Sequence, residues 1–226
     1  QVQDPVLASG YVGVSLSNYG SPSYDQHVVY EAMRVTDLNS PDIVYEESEF
    51  AGGGCFGEGS GEGYQTSALD GQYQVQVTAG NYFMAPCQDT GLEPLTDFIL
   101  EADVVQQDAG NSGLAFRTNT DTGAMYAFLM DPAGYATLVY YPNATESPTV
   151  LMDWTSVKGG AAVGELNHIK VIAVGETILI YVNGSLAAEV QDGSATSGGI
   201  ALIARASEAD FQTIFDNVKI TSLVVP

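Results

Sequence analysis

His168-Ile169-Lys170-Val171-Ile172-Ala173-Val174, a Gly175-Glu176 turn, Thr177-Ile178-Leu179-Ile180-Tyr181-Val182 and an Asn183-Gly184 turn make up the stretch that decides the fold. Asn-Gly after a β-branched run, with Ser185-Leu186-Ala187-Ala188-Glu189-Val190 following, predicts a hairpin, because both central residues of a type I′ turn need positive φ. Upstream, Gly113-Leu114-Ala115-Phe116-Arg117, Met125 to Met130 and Tyr135 to Tyr140 read as strands linked by Thr122-Gly123 and by Asp131-Pro132-Ala133-Gly134. Proline presets the φ of a turn and glycine supplies a left-handed exit. Downstream come Gly199 to Ala204 and a closing strand, Phe215-Asp216-Asn217-Val218-Lys219-Ile220. No stretch of similar length carries a 3.6-residue apolar period, so helix is expected to be scarce and the class all-β, an antiparallel β-sandwich.

The succession of Thr96 to Val104, the Gly-Leu-Ala-Phe-Arg strand, Tyr126-Ala127-Phe128, Leu166-Asn167-His168-Ile169-Lys170-Val171, Ile180-Tyr181-Val182-Asn183-Gly184 and Phe215-Asp216-Asn217-Val218 resembles the concanavalin A-like lectin/glucanase superfamily. Within it, the likeness is greatest to laminin-G-like and 3-keto-disaccharide-hydrolase-like bacterial extracellular modules. Ile43 to Glu47 resembles the opening strand of that family, and Leu69-Asp70-Gly71-Gln72-Tyr73-Gln74-Val75 its D-G-x-Y-x-V strand. The resemblance implies a jelly roll over residues 42–226, preceded by an N-terminal arm over 1–41. It leaves activity open, since this fold hosts lectins, glycosidases and adhesion modules.

Charge narrows the partners. Six Lys and Arg stand against 28 Asp and Glu, a formal net charge of -22, so phosphate-rich polymers are repelled and nucleic acid is excluded as a partner. The acidic residues are scattered, which fits solubility and turn chemistry, although so many carboxylates also attract divalent cations. No run of about 18 apolar residues is present to span a membrane. The start at Gln1, without Met or a basic leader, points to a secretion signal already removed and to an extracellular or cell-surface protein. There, Cys55 and Cys87 are expected as a disulfide closing a loop of about 33 residues, with two free thiols as the alternative.

The first 41 residues do not fit the family. Val6-Leu7-Ala8-Ser9-Gly10-Tyr11-Val12-Gly13-Val14 is an apolar extended segment that needs a partner strand. It pairs either with its own sandwich or with the next molecule, in which case the chain polymerises, and Val6, Leu7, Tyr11, Val12 and Val14 carry the contact. The glycine-rich stretch from Gly52 to Gly63 lacks the Lys-Ser/Thr and the following helix of a phosphate loop, and Glu58 and Glu62 would repel phosphate. It is expected to be a surface loop pinned by Cys55.

Glucanases of the superfamily carry E-x-D-x-x-E on one strand, and the corresponding stretch here is Glu101-Ala102-Asp103-Val104-Val105-Gln106. Glu101 and Asp103 share a face, but Gln106 cannot shuttle a proton, so no catalytic residue is assigned. Sugar recognition needs an aromatic ring beside polar groups, which singles out Trp154, the sole indole, with Asp153 and Tyr141. In many jelly-roll modules the first and last strands share one calcium ion, and the resemblance implies either such an ion on Glu46 or Glu47 and Asp216 or an Asp216 that simply caps backbone. Asn143-Ala144-Thr145 and Asn183-Gly184-Ser185 are glycosylation sequons. The sequence is thus read as a secreted, non-catalytic subunit of a self-assembling filament or surface layer, or alternatively as a carbohydrate-binding module for polysaccharide, with a glycoside hydrolase third.

Overall fold

The computed structural model describes residues 41–88, 94–160 and 162–223. All belong to one unit spanning residues 40–226. The arm and its contact residues Val6, Leu7, Tyr11, Val12 and Val14 lie outside the described residues.

Among the described residues, fifteen strands form two antiparallel sheets. One contains β1 (Pro41–Glu47), β2 (Gly59–Gly61), β3 (Tyr64–Leu69), β4 (Gln72–Val77), β6 (Phe98–Gln106), β11 (Leu166–Val174), β12 (Thr177–Val182), β13 (Ser185–Gln191) and β15 (Phe211–Leu223). Its order is β13-β12-β11-β6-β15-β4-β3-β2. β15 is long enough to take β4 along its first half and β1 along its second, while β6 lies on its other side. The other sheet runs β10 (Thr149–Ser156), β9 (Tyr135–Tyr141), β8 (Ala124–Met130), β7 (Gly110–Asn119), β14 (Gly199–Ala206) and β5 (Tyr82–Pro86). The sandwich expected from the alternation is what forms. One expectation needs correcting: Asp70-Gly71 does not lie within a strand but is the turn of the β3–β4 hairpin, with both residues at positive φ.

Alternation builds the core. Phe98, Leu100, Ala102 and Val104 of β6 face Leu114 and Phe116 of β7, Tyr126 and Phe128 of β8 and Leu138 of β9, all within the interior layer. Phe116 stacks on Tyr126 at 5.4 Å and meets Phe98 edge-on at 6.2 Å. Such aromatic pairs add about 0.5–1.5 kcal/mol beyond the area they bury.

Two bulges break the alternation with consequence. Arg117 has φ of 49°, and the register slips between Phe116 and Asn119, so Phe116 and Arg117 are both buried although they are adjacent. The guanidinium donates to the carbonyls of Thr96, Gly175 and Ala195 at 2.8–3.0 Å, with burial pulling its pKa down. Gly198 permits this path, because a Cβ there would lie 2.4 Å from the carbonyl carbon of Arg117. In β15, Asn217 at φ 49° is the extra residue, which leaves Asp216 and Lys219 opposite Asp103 and Glu101 of β6.

The disulfide Cys55–Cys87 forms, joining the 3-10 segment Ala51–Phe56 to the end of β5 across 32 residues of sequence. Replacing both cysteines by Ala is expected to cost about 3 kcal/mol in urea unfolding, through the entropy of the released loop. Arg117→Met is expected to cost about 1–3 kcal/mol, because three part-buried carbonyls lose their donor. An unchanged urea midpoint in either variant would contradict the role given to that residue.

Candidate functional site

The face of the six-stranded sheet turned away from the core is apolar and half-enclosed. Ala115, Met125, Ala127, Leu129, Val139, Ala201 and Ile203 form a second buried cluster there, with Met84 and Tyr141 against it. Loops raise walls on this floor. Thr78–Asn81 leads into β5 at one side, and at the other the β7–β8 turn and the β9–β10 loop pack together, Ala144 N donating to Thr122 O at 3.0 Å. Gly123 is required at that junction, since its φ is 79° and a Cβ would meet Ala144 N at 2.8 Å.

The result is a groove of about 520 Å³, floored by Met84, Met125, Leu129 and Ile203 and rimmed by Asn81, Tyr82, Arg205, Tyr141, Asn143 and Glu146. Its volume falls in the usual range for small-ligand sites, about 300–1,000 Å³. Tyr82 and Arg205 are cross-strand neighbours, as are Met125 and Tyr141. Tyr82 is 69% exposed, the most exposed large hydrophobic side chain among the described residues. Asn143 organises the opposite wall: its Oδ1 accepts from the backbone N–H groups of Thr145 and Glu146, both at 2.9 Å, and its Nδ2 donates to Glu146 Oε1 at 2.6 Å.

Arg205 is notable in a chain with only six basic residues. Lys170 and Lys219 are in ion pairs and Arg117 is buried, whereas Arg205 has no acidic partner among the described residues. A guanidinium offers five donors in a rigid fork, so the rim carries a free planar donor facing an anchored carboxylate acceptor. The floor side chains carry no titratable group, so an acid or base for the groove would have to come from its rim.

Of the residues singled out for sugar recognition, Tyr141 lines this groove and Trp154 and Asp153 do not. Those two sit on β10, the edge strand, where the register slips between Met152 and Thr155; Trp154 is 42% exposed and Asp153 Oδ1 accepts from its backbone N–H. Tyr82 and Arg205 escaped the sequence reading. The sole signal for them was alternation in two short strands that the hairpin pattern does not link.

The residues expected to hold calcium each have other partners. Glu46 pairs with Lys219 at 3.5 Å, Glu47 Oε1 accepts from the backbone of Glu49 and Phe50, and Asp216 accepts from Gln72 and from Asn217 N. Among the described residues no three His, Cys, Asp or Glu side chains gather in a way that could hold a metal ion. The Asn143 amide is engaged at the groove wall, as described. The Asn183 amide donates to Gly159 O at 2.7 Å and Asn167 Oδ1 at 3.2 Å, so a glycan replacing one hydrogen on that nitrogen would remove one of the two bonds.

Glu101 and Asp103 do share a face, the outer surface of the nine-stranded sheet, where they meet His168 and Lys170 of β11 in register. The nearby His168 imidazole, then Lys170 at 3.1 Å, hold the Glu101 carboxyl down at about 2. His168 Nε2 stands 3.6 Å from Glu101, too far for a formed hydrogen bond, and acts there as a nearby charge. Its bonded contact is Nδ1 to Asp103 Oδ1 at 2.7 Å, and Asn217 Nδ2 donates to the other Asp103 oxygen at 2.8 Å. Glu101 and Asp103 together raise the His168 pKa. A carboxyl held near 2 is ionised at neutral pH, which disfavours Glu101 as a general acid there.

The family relationships follow from this framework. The architecture is that of the concanavalin A-like jelly rolls. Residues 85–221 match the 3-keto-alpha-glucoside-1,2-lyase-like domain, and the chain belongs to that family. A levanase from Bacillus sp. (strain L7) is 30% identical over 121 residues, which is 53% of this chain and 13% of the levanase. The chain thus spans a small part of that enzyme's length. Among solved structures, the carbohydrate binding module CBM66 from Bacillus subtilis is similar with a TM-score of 0.55 at 20% identity, over 71% of this chain and 96% of that one. A Bacillus licheniformis beta-glucanase is similar with a TM-score of 0.56 at 9% identity, over 83% and 100%. At these identities the likeness to the two structures is one of fold.

The charged cluster generates a test. The raised His168 pKa contributes stability that is complete below its ordinary 6.5 and is lost as pH rises through the raised value. The lowered Glu101 pKa contributes stability that is complete above its ordinary 4.5 and is lost as pH falls toward about 2. Both are present together between 4.5 and 6.5. Thermal melts of wild type and His168→Ala should therefore differ most in that window and converge at alkaline pH, by less than about 1 kcal/mol because the pair is partly exposed. A gap independent of pH would show that His168 contributes by packing alone.

Proposed function

We propose that this chain is a non-catalytic carbohydrate-binding β-sandwich, and that the groove on the six-stranded sheet takes a polysaccharide, with fructan of the levan type as the ligand class. The observation that carries the reading is the composition of the groove: an apolar floor without titratable side chains, the exposed ring of Tyr82 beside the unpaired Arg205, and Glu146 fixed by Asn143 across from them. Sugars present apolar faces and dense hydroxyls, and this mix supplies a ring and aliphatic contact for the one and a donor fork and an acceptor for the other.

The levanase relative supports the choice of ligand, since a stretch matching an eighth of that protein fits an accessory module better than its whole activity. The disulfide and the carbohydrate-related family support an extracellular location. No helix among the described residues is long and apolar enough to cross a membrane. Of the three readings open from the sequence, the relatives favour the carbohydrate-related ones over the filament subunit. Self-assembly through the arm rests on residues outside those described, and the relatives lend it no support.

Titration calorimetry and affinity electrophoresis with levan, and with β-glucan as a comparison, test the reading. Wild type should bind levan, and Tyr82→Ala and Arg205→Ala should each weaken binding about tenfold, equivalent to about 1.4 kcal/mol. Unchanged affinity in both variants would remove the groove as the site. Release of reducing sugar or of an unsaturated product by the purified protein would overturn the non-catalytic assignment.

A further inference from the structure

A row of amides crosses one corner of the nine-stranded sheet. Gln65 of β3 lies opposite Gln76 of β4, which lies opposite Gln212 of β15. Their immediate neighbours Thr66, Val75, Val77, Phe211 and Thr213 are buried, so alternation turns all three amides away from the core. Gln72 and Gln74 continue the outward face of β4, and five of the chain's twelve glutamines are gathered on these three strands. In a protein with 28 acidic residues, every outward position of β4 is instead an uncharged amide.

The row opens into a cleft of about 380 Å³ at the ends of these strands, lined by Tyr64, Gln65, Gln76, Gln212, Asp108 and Asp210 among others. The Tyr64 ring is fixed by stacking on Phe83 at 4.1 Å. Asp210 Oδ1 accepts from Ala79 N at 2.9 Å, which sets the orientation of its carboxylate. Gln212 Nε2 donates to Gln74 Oε1 at 3.3 Å, whereas the Gln65 and Gln76 amides bond to no described residue.

We infer that this cleft and amide row form a second binding site for a neutral, hydroxyl-rich polysaccharide chain, separate from the groove and on the other sheet. The inference rests on the reading of the protein as a carbohydrate-binding module. Strands lie about 4.8 Å apart, so the row offers paired donors and acceptors at a regular interval perpendicular to the strands. A polymer with repeating hydroxyls matches such a ladder, and the Tyr64 ring and the two carboxylates end it with the ring-plus-acceptor mix that sugars require. Anionic polymers are disfavoured by Asp108, Asp210 and the net charge of -22. Two sites on one body raise avidity for a long chain without new contacts at either site.

The test uses the full chain, with levan and mixed-linkage β-glucan as separate probes. In affinity electrophoresis, Tyr82→Ala/Arg205→Ala should retain several-fold weakened retardation in at least one polysaccharide, and adding Gln65→Ala/Gln76→Ala/Gln212→Ala should abolish it. Independently of any variant's folding, side-chain amide NMR signals of Gln65 and Gln76 in the unaltered protein should shift on titration with short oligosaccharides of the bound probe. If the groove variant alone abolishes binding and those amide signals do not move, the second site is overturned while the proposed function stands. If wild type binds neither polysaccharide, the proposed function and this inference both fall.

Discussion

The sandwich depends on one buried cation. Arg117 sits where three connections meet, the lead into β6, the β11–β12 turn and the lead into β14, and it is the common donor to a carbonyl from each. Burying a guanidinium is costly unless its donors are matched, and here carbonyls engage both terminal nitrogens while Nε has no partner. The Tyr126 hydroxyl bonds Asp192 and accepts from Ala195 N, tying the same β13–β14 connection to the core. Three segments far apart in sequence are therefore closed over one end of the core by a single side chain. The groove is built on the outer face of the sheet to which Arg117 belongs.

Most of the strand pattern was legible because its cause is local. Alternation with glycine-bearing turns is written along β6 to β14, and the Asn183-Gly184 and Thr122-Gly123 turns fall where that pattern puts them. What was not legible has a common physical origin in positive φ at residues other than glycine. Simple alternation would send Arg117 outward beside Ala115, and only the bulge turns it in. Asp70-Gly71 reads as part of a strand until its left-handed pair makes it a hairpin turn.

The site was less legible than the fold. Its rim draws one tyrosine from β5, one arginine from β14, one tyrosine from β9 and two side chains from the following loop, and no linear motif joins them. Tyr141 was singled out as an aromatic ring near polar groups, while the lone indole drew attention to β10, which lies off the groove. The spare arginine becomes informative only when the partners of the other cations are known. Lys170 and Lys219 alternate with Glu101 and Glu46 in a cross-strand charge ladder on the opposite sheet, so these two lysines are already matched.

The Asn183 side chain has a bearing on how long the molecule lasts. Asn-Gly is the dipeptide at which a glycine backbone nitrogen most readily attacks the asparagine side-chain carbon, losing ammonia and leaving a succinimide that opens to aspartate or isoaspartate. Here the amide cannot swing toward Gly184 without giving up the bonds from Nδ2 to Gly159 and Asn167 and the one that Oδ1 accepts from His168 N at 2.8 Å. This two-residue turn is thereby shielded from spontaneous chemical ageing, and Asn183 should deamidate on the timescale of unfolding instead of that of a free peptide.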